Sequence, residues 1–441
     1  MLEITGNKIE NCEGLSRRTL LKVGALGLGG LTLPQLLAWR SAARAAGKSM
    51  PETSVIFVEM AGGPTHMETY DPKPDSPIEY RGPLGVTPTT TPGVYFSELM
   101  QQQAKAFDKL AVIRSIHHDS SSHGTSAHLT QTGYYLRNNQ NRSNDMPCAG
   151  SVASRVKGAS APGIPAYVAL GRTMRFGEAA YLGKAFNPFV VSRDPSASNF
   201  QVDNLDLVSG LTSNRIDGRR NLLDQLDSSR RLRDTEGVSE SVDQFTTGAY
   251  EMVTSGRALE AFQIDKEPDA ARDRYGRNQT GQSMLLARRL VEAGVTFVSI
   301  RTGSWDDHNG IEKRMKDKGP SFDQGLAALI EDLHQRGRDR DVMVVAMGEF
   351  GRTPRINNNA GRDHWGRVMS VMMAGGGLRT GQIIGRSNNK GEVPQDNPYR
   401  PENVLAMVYR HLGIDTKMTF PDLAGRPRYI LEDDALIHEL V

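Results

Sequence analysis

Apolar runs that alternate with helical patterns place the strongest limit on how this 441-residue chain can fold. The runs are short and end in glycine-rich or polar loops, as buried strands do. The predicted strands are 54–60, 109–116, 166–170, 189–192, 295–300, 341–347 and 368–374, and the predicted helices are 282–293, 322–336 and 401–412. Such alternation predicts an α/β fold with a doubly wound, mostly parallel sheet and helices on both of its faces.

The charge balance and the cysteine content exclude several classes of protein. Charged residues make up 24% of the chain and the net charge is +2, which excludes a basic nucleic-acid-binding protein and an acidic disordered chain. Cys12 and Cys148 are the two cysteines, too few for a disulfide framework or a cysteine-based zinc site. Composition therefore indicates a globular class but no activity.

The first 45 residues have the pattern of a signal peptide. Arg17 and Arg18 precede a glycine-interrupted apolar run over 23–37, and the small-residue site Ala43-Arg44-Ala45 follows. The paired arginines favour export through the twin-arginine translocase. The apolar run, at about 15 residues, is short for a membrane span, although retention as an uncleaved anchor is the alternative. We therefore expect a periplasmic or secreted protein with no stable membrane span after signal removal.

The remaining residues, 46–441, are predicted to form one domain, because they contain no clean linker and no internal repeat. Their net charge is −1, since the signal segment holds six of the 53 basic residues and three of the 51 acidic ones. Residues 205–277 are polar, dense in arginine and aspartate, and helical in pattern. We interpret this segment as a helical insertion or cap and assign no chemistry to it.

Polar clusters follow the predicted strands at the points where these strands end. They are residues 62–66 with Asp71, 117–128, 304–308 (SWDDH), 348–354 (GEFGRTP) and 361–366 (GRDHWG). In sheets of this kind, ligands bind beyond the carboxyl ends of the strands. Carboxylates and imidazoles are ligands that zinc, manganese and similar ions prefer. The clusters together predict a metal site at this edge, and Arg352, Arg355 and Arg362 add cations that could hold phosphate or sulfate.

A simpler interpretation applies to each cluster taken singly. An isolated histidine is usually solvated or hydrogen-bonded, which is our expectation for His334, His411 and His438. Glu349 could merely accept hydrogen bonds from Arg352 or from the loop backbone. The prediction of a site depends on the convergence of seven of the ten histidines in loops near strand ends.

Several of these stretches resemble a family of exported bacterial proteins, the domain-of-unknown-function family 1501 (DUF1501). The resemblance lies in the paired arginines, GGPTHMETYDPKP at 62–74, SWDDH, GEFGRTP, GRDHWG and AGGGL at 374–378, and covers nearly the whole chain. That family is similar to the alkaline phosphatase and sulfatase superfamily. Those enzymes share a doubly wound α/β fold with metal ligands at strand ends, and they cleave phosphate or sulfate esters.

The resemblance implies roles for particular residues. Asp306, His308 and His364 match metal ligands of the superfamily, and Glu349 stands where the superfamily has an aspartate ligand. The implied cofactor is a divalent ion, either zinc, manganese or calcium. His123 lies at the position of the nucleophile and is expected to act as nucleophile or general acid–base. Arg352 is expected to stabilise charge on the transferred group.

The sequence also departs from the superfamily pattern. It has no Cys-x-Pro-Ser-Arg motif, so formylglycine chemistry is not expected, and Ala61 and Phe350 stand at ligand positions. His66, Asp71 and Asp363 are additional candidate ligands. The leading hypothesis is an exported metal-dependent hydrolase of phosphate or sulfate esters, acting on a small-molecule or polysaccharide substrate. The alternative is a catalytically degenerate member that serves as an exported binding or scaffold protein. No nucleic-acid partner is expected.

Overall fold

The computed structural model describes residues 52–202, 250, 252 and 254–441. The predicted signal segment lies outside the described residues, and so does the part of the predicted insertion at 205–249. Within the described residues, no helix is both long enough and apolar enough to cross a lipid bilayer.

The described strands and helices follow the alternation that the sequence predicts. The strands are β1 (Ser54–Met60), β2 (Val86–Pro88), β3 (Tyr95–Ser97), β4 (Leu110–Ile116), β5 (Tyr167–Leu170), β6 (Phe189–Val191), β7 (Phe297–Thr302), β8 (Val342–Met347), β9 (Gly351–Arg352), β10 (His364–Trp365), β11 (Met369–Gly375), β12 (Gln382–Ile384), β13 (Arg386–Ser387), β14 (Pro394–Asp396), β15 (Thr419–Pro421) and β16 (Pro427–Tyr429). The helices are α1 (Ile78–Arg81), α2 (Gln101–Lys105), α3 (His123–Thr132), α4 (Ala149–Val156), α5 (Arg257–Phe262), α6 (Asp269–Tyr275), α7 (Gln279–Ala293), α8 (Ile311–Gln335) and α9 (Pro401–Leu412).

The main sheet has eight strands in the order β12-β4-β11-β8-β1-β7-β5-β6. Strands β8, β1, β7, β5 and β6 are parallel, and β12 is parallel to β4. Strand β11 is antiparallel to both of its neighbours. The described chain between β8 and β11 contains only the β9–β10 hairpin and no crossover helix, so it returns in the opposite direction. The predicted fold class, a mostly parallel α/β sheet, is confirmed.

Helices cover both faces of this sheet. Val55 and Phe57 of β1 belong to an apolar cluster that includes residues of α4 and α9, while Ile56 and Val58 belong to another that includes residues of α7 and α8. Successive side chains of a strand point to opposite faces, so β1 contributes to both cores and is apolar along most of its length.

Helix α8 starts eleven residues before the predicted start at 322. Gly319 and Pro320 favour a helix boundary, and the sequence prediction follows that signal. The structure continues the helix through Pro320 because Met315 and Ile311, about one and two turns before Gly319, lie on the buried face. Tertiary burial therefore outweighs the local preference at this point.

Candidate metal centre

Four connections at the carboxyl edge of the sheet bring polar side chains together. His123 is the first residue of α3, which follows β4, and Asp306 and His308 lie between β7 and α8. Glu349 follows β8 directly. His364 is on β10, paired in the hairpin with Arg352 of β9. The clusters that the sequence singles out thus meet where the fold class predicts a ligand site.

Three imidazoles converge on the carboxylate of Asp306. The Nε2 atom of His123 lies 3.2 Å from Oδ2. On the other oxygen, Oδ1, the Nε2 atom of His308 lies at 3.0 Å and that of His364 at 3.1 Å. The Nε2 atoms of His308 and His364 are 2.9 Å apart.

The second nitrogen of each ring faces a hydrogen-bond acceptor. Nδ1 of His123 donates to Glu349 Oε1 at 2.7 Å, and Nδ1 of His308 donates to Asp363 Oδ1 at 2.8 Å. Nδ1 of His364 donates to the carbonyl oxygen of Ser121 at 3.0 Å. Both nitrogens of each ring face acceptor oxygens, and the contact at Nδ1 is the shorter of the two in every ring, so we assign the proton of each neutral ring to Nδ1. Each Nε2 lone pair is then directed toward Asp306.

This donor set fits a divalent metal ion. Converging lone pairs and carboxylate oxygens repel one another unless a cation or a proton lies between them. Ligands about 2.0–2.1 Å from a tetrahedral zinc ion are about 3.3 Å from one another, close to the separations within the cluster. His123, Asp306 and His364 can each offer an atom so that all three atoms lie within 4.8 Å of one another. Histidine ligands commonly donate Nδ1–H to a carboxylate or carbonyl, as these three rings do.

Charged neighbours set the protonation of the cluster. Burial opposes ionisation of Asp306, but Arg352 and His364 hold the pKa of its carboxyl well below the usual range. The hydrogen bond to Glu349 raises the pKa of His123, whereas burial and the nearby His123 lower the pKa of His364. Asp306 therefore remains an ionised oxygen donor at neutral pH.

Arg352 is fully buried and holds the loops around the cluster in place. Its Nη2 donates to Asp306 Oδ1 at 2.5 Å and also to the carbonyl oxygen of Gly62. Nε donates to the carbonyl of Gly63 at 2.8 Å and Nη1 to that of Arg362 at 3.1 Å. The charge-stabilising role expected for Arg352 stays a prediction, and these contacts show a positioning role.

Glu349 orients His123 and does so from a fixed position. Both of its carboxylate oxygens lie within 3.1 Å of the backbone nitrogen of Gly62, and Oε1 accepts the Nδ1 proton of His123. The predicted role of Glu349 as a metal ligand stays a prediction. Its contacts are those of a group that positions a ligand.

The ring of Phe350 packs against two of the histidines, with centroids 5.0 Å from His123 and 4.6 Å from His364. Glycine at 63 is required for this packing. A Cβ atom there would lie 2.3 Å from the Phe350 ring, and the backbone φ of +83° disfavours any other residue. Phe350 thus occupies space beside the cluster with a group that cannot bind a metal.

The remaining candidate ligands have different surroundings. Asp363 lies next to His308, as described above. His66 is buried, with Nε2 2.9 Å from the carbonyl oxygen of Gly391. Asp71 is also buried and pairs with Lys73 and Arg114 and accepts a hydrogen bond from Ser387. The structure brings Asp363 into the cluster, whereas the polar contacts of His66 and Asp71 are with other groups.

Two residues of the sequence motifs named above serve the fold. The second aspartate of SWDDH, Asp307, is buried and accepts both contacts from Lys318 of α8, at 2.7 and 2.9 Å. Arg362 of GRDHWG is buried and pairs with Glu68 at 2.6 Å, so it is not a free cation for an oxyanion. The carbonyl of Ser121 and the amide of Gly62 are contributors that sequence reasoning missed, because backbone groups leave no signal in residue type.

The fold and this cluster define an α/β protein with a candidate metal centre at the carboxyl edge of its sheet. Residues 52–441 match the family described as "Protein of unknown function (DUF1501)", and the chain belongs to that family. No curated protein matches the sequence.

Several solved structures are similar to this chain at low identity. Ps i-CgsB in complex with k-i-k-neocarrahexaose is 11% identical, covering 82% of this chain and 72% of its own, with a TM-score of 0.40. PsFucS1 sulfatase from Pseudoalteromonas sp. is 11% identical over 85% and 70%, with a TM-score of 0.35. The alkaline phosphatase from the Antarctic bacterium TAB5 is 10% identical over 83% and 99%, also with a TM-score of 0.35.

Proposed function

We propose that this protein is a metal-dependent hydrolase of phosphate or sulfate esters. The observation that carries the proposal is the convergence of three imidazole Nε2 atoms on Asp306, each ring fixed through Nδ1 by an acceptor. His123, Asp306, His308 and His364 would hold the metal. A metal bound there supplies a Lewis acid that polarises an ester oxygen or activates water.

The residues around these ligands keep the site ready to bind the ion. Glu349 and Asp363 hold the rings of His123 and His308, while Arg352 holds Asp306 in its ionised form. This assignment gives His123 a ligand role in place of the nucleophile that the resemblance implies. The reason is that its Nδ1 proton is donated to Glu349 and its Nε2 faces Asp306.

Metal analysis of the purified protein tests the proposal. We expect about one divalent ion per chain in wild-type protein and strong loss of it in the Asp306→Ala and His364→Ala variants. His334→Ala is the matched control, because His334 is an exposed histidine in the last turn of α8. Turnover of an aryl phosphate or aryl sulfate should fall with metal content. Metal-free wild-type protein would overturn the proposal.

A binding or scaffold protein without catalysis is the second candidate. The packing of Phe350 beside His123 and His364 favours it, since an apolar ring there leaves less room for a second metal. Stoichiometric metal without turnover of either aryl ester would support this candidate. Metal-dependent turnover would exclude it.

We further propose that the protein is exported by the twin-arginine translocase, on the basis of Arg17, Arg18 and the apolar run that follows. The Arg17→Lys, Arg18→Lys double variant should accumulate in the cytoplasm as the longer precursor, while the wild type reaches the periplasm or medium. Cell fractionation with an antibody to the mature chain measures this. Equal export of both forms would contradict the proposal.

A further inference from the structure

A cleft with a volume of about 700 Å³ opens beside the candidate metal centre. Asp363, which accepts the Nδ1 proton of His308, is part of its wall, and so is Trp365, the residue after His364. A ligand in this cleft is therefore separated from the metal-binding residues by a single side chain. Its volume lies within the range of about 300–1,000 Å³ found for small-molecule sites.

Two aromatic rings line the cleft, and a hydrogen bond holds one of them, that of Trp365, in a fixed position. The indole of Trp365 donates from Nε1 to the carbonyl oxygen of Glu392 at 2.7 Å, and its backbone pairs with Gly351 in the β9–β10 hairpin. Tyr80 also lines the wall. The fixed ring of Trp365 offers a flat apolar face at low entropic cost to a ligand that carries a ring of its own.

Among the residues that the structure describes, two guanidinium groups that lack an acidic partner lie at the cleft. Arg355 and Arg367 line the cleft and are exposed, and neither forms an ion pair within the described residues. The guanidinium of Arg367 lies 5.9 Å from the centre of the Trp365 ring, and Lys390 Nζ lies 4.9 Å from the centre of the Tyr80 ring.

The two acidic residues of the wall already have hydrogen-bond partners. Asp363 accepts from His308 and from Asn357, and Glu392 accepts from Asn388. One oxygen of each carboxylate is therefore engaged, whereas the guanidinium groups of Arg355 and Arg367 keep their N–H donors for a ligand beside the aromatic face. Guanidinium forks bind sulfate, phosphate and carboxylate groups through paired hydrogen bonds.

We propose that this cleft binds the leaving-group part of the substrate, and that this part is an acidic saccharide. The proposal rests on the proposed function. The sugar ring packs against Trp365, and an anionic substituent of the saccharide, other than the ester that reaches the metal, binds Arg355 and Arg367. The amide of Asn358, which also lines the wall, can hydrogen-bond to sugar hydroxyls.

Binding measurements by calorimetry test this assignment, with a heparin-derived sulfated disaccharide, its unsulfated counterpart and adenosine monophosphate as probes. We expect the wild type to bind the sulfated disaccharide at least about tenfold more tightly than either of the others. The Arg355→Gln, Arg367→Gln double variant should lose about tenfold or more of that affinity. Arg379→Gln, Arg410→Gln is the matched control, because both residues are exposed arginines that do not line the cleft.

A third variant separates this proposal from the proposed function. Asp306→Ala removes a metal ligand but no residue of the cleft, so it should bind the sulfated disaccharide as the wild type does. Retained binding together with an inactive, metal-free wild type would overturn the proposed function, and the cleft would then be a binding site for an acidic saccharide without hydrolysis. Equal affinity of the wild type and the Arg355→Gln, Arg367→Gln variant would overturn the cleft assignment. Tighter binding of adenosine monophosphate than of the disaccharide would also overturn it.

Discussion

The Nδ1 atoms of three histidines decide where the metal-binding lone pairs point. His123, His308 and His364 each donate Nδ1–H to a different acceptor, namely Glu349, Asp363 and the carbonyl of Ser121. If any of these acceptors were replaced by a hydrogen-bond donor, the proton of that ring would move to Nε2, the nitrogen that faces Asp306. The ring could then no longer bind a metal through Nε2. The chemistry of the centre therefore depends on residues that never touch the ion.

Arg352 is the residue whose replacement should damage the centre most. The Arg352→Lys variant replaces the guanidinium group by a single ammonium. The guanidinium donates hydrogen bonds to Asp306 and to the carbonyls of Gly62, Gly63 and Arg362. We expect a loss of about 2–4 kcal/mol in the free energy of unfolding, because buried acceptors remain without donors. Urea unfolding measures this loss. Arg355→Lys is the control, because Arg355 is exposed; it should change the free energy of unfolding by less than about 0.5 kcal/mol. Equal losses of stability in the two variants would contradict the positioning role of Arg352.

At the level of single elements, the central strand β1 combines an apolar core with one buried acid. Glu59 is buried, and its Oε2 atom has no hydrogen-bond partner within the described residues, although Arg301 Nε lies 3.4 Å away. Burial, reinforced by the charge of Glu349, raises the pKa of Glu59 to about 8 despite Arg301. The folded protein therefore keeps this carboxyl protonated at neutral pH.

Glu59→Gln should stabilise the protein at alkaline pH. A carboxyl with a raised pKa in the folded state binds a proton that the unfolded chain has already released, so stability falls as pH rises from about 4.5 to about 8. The Glu59→Gln variant has no titratable group at this position, so its stability does not fall in this way as the pH rises. The difference in unfolding free energy should grow from near zero at pH 4.5 to about 4–5 kcal/mol at pH 8–9. Glu52→Gln, at an exposed position, is the control; a difference that does not vary with pH would contradict the account.

Helix α3 carries a buried histidine, His128, whose hydrogen bonds connect the helix to the segment that follows it. Nδ1 of His128 donates to the carbonyl of Tyr134 at 2.6 Å, and Nε2 accepts from the amides of Asp145 and Met146 at 3.1 and 3.3 Å. Both nitrogens are used only if the ring is neutral. Burial accordingly lowers the pKa of His128 below its usual value.

His128→Ala should cost about 2–4 kcal/mol of unfolding free energy at pH 7, since two buried amides and a carbonyl lose their partner. In the wild type, this contribution is complete above pH 6.5, the unfolded pKa, and is lost as pH falls below it, because the unfolded chain binds the proton first. Unfolding curves at pH 7, 6 and 5 measure both effects. The exposed His334→Ala is the control, and an unchanged difference from pH 7 to pH 5 would argue against a neutral buried ring.

At the scale of the whole molecule, the candidate metal centre connects parts of the chain that are distant in sequence. His123 is 183 residues from Asp306 and 226 residues from Glu349, yet it contacts both. A metal bound there would join the connections after β4 and β7 and the β9–β10 hairpin. The folded state would then be stabilised as one unit.

Zinc should therefore raise the midpoint of thermal unfolding. At a free ion concentration of about one hundred times Kd, binding stabilises the folded state by about 2.7 kcal/mol, which for a chain of this length is an increase of about 3–6 °C. Differential scanning calorimetry after chelation and after addition of zinc, manganese or calcium measures the shift and ranks the ions. Asp306→Ala should show no shift; the same increase in that variant would place the effect at some other site.

Local patterns carried most of the fold prediction and part of the site prediction. Strand β1 and helix α9 were predicted with their observed bounds, because continuous apolar runs and helical periodicity are properties of short segments. The start of α8 was wrong, since Gly319-Pro320 is a strong local signal that burial of Met315 overrides. Arg362 was predicted as a cation that could hold an oxyanion, and only its contact with Glu68, 294 residues away, shows that its charge is already paired.

By itself, the sequence determined the α/β class, the edge of the sheet at which polar groups gather and the residue types suited to a metal. These follow from periodicity and from the side chains present where strands end. Tertiary structure alone decided which nitrogen of each histidine faces Asp306, that β11 runs antiparallel, and that Arg352 is buried among carbonyls rather than open to a ligand. The physical reason is that hydrogen-bond partners and burial are set by atoms hundreds of residues apart, which no local pattern records.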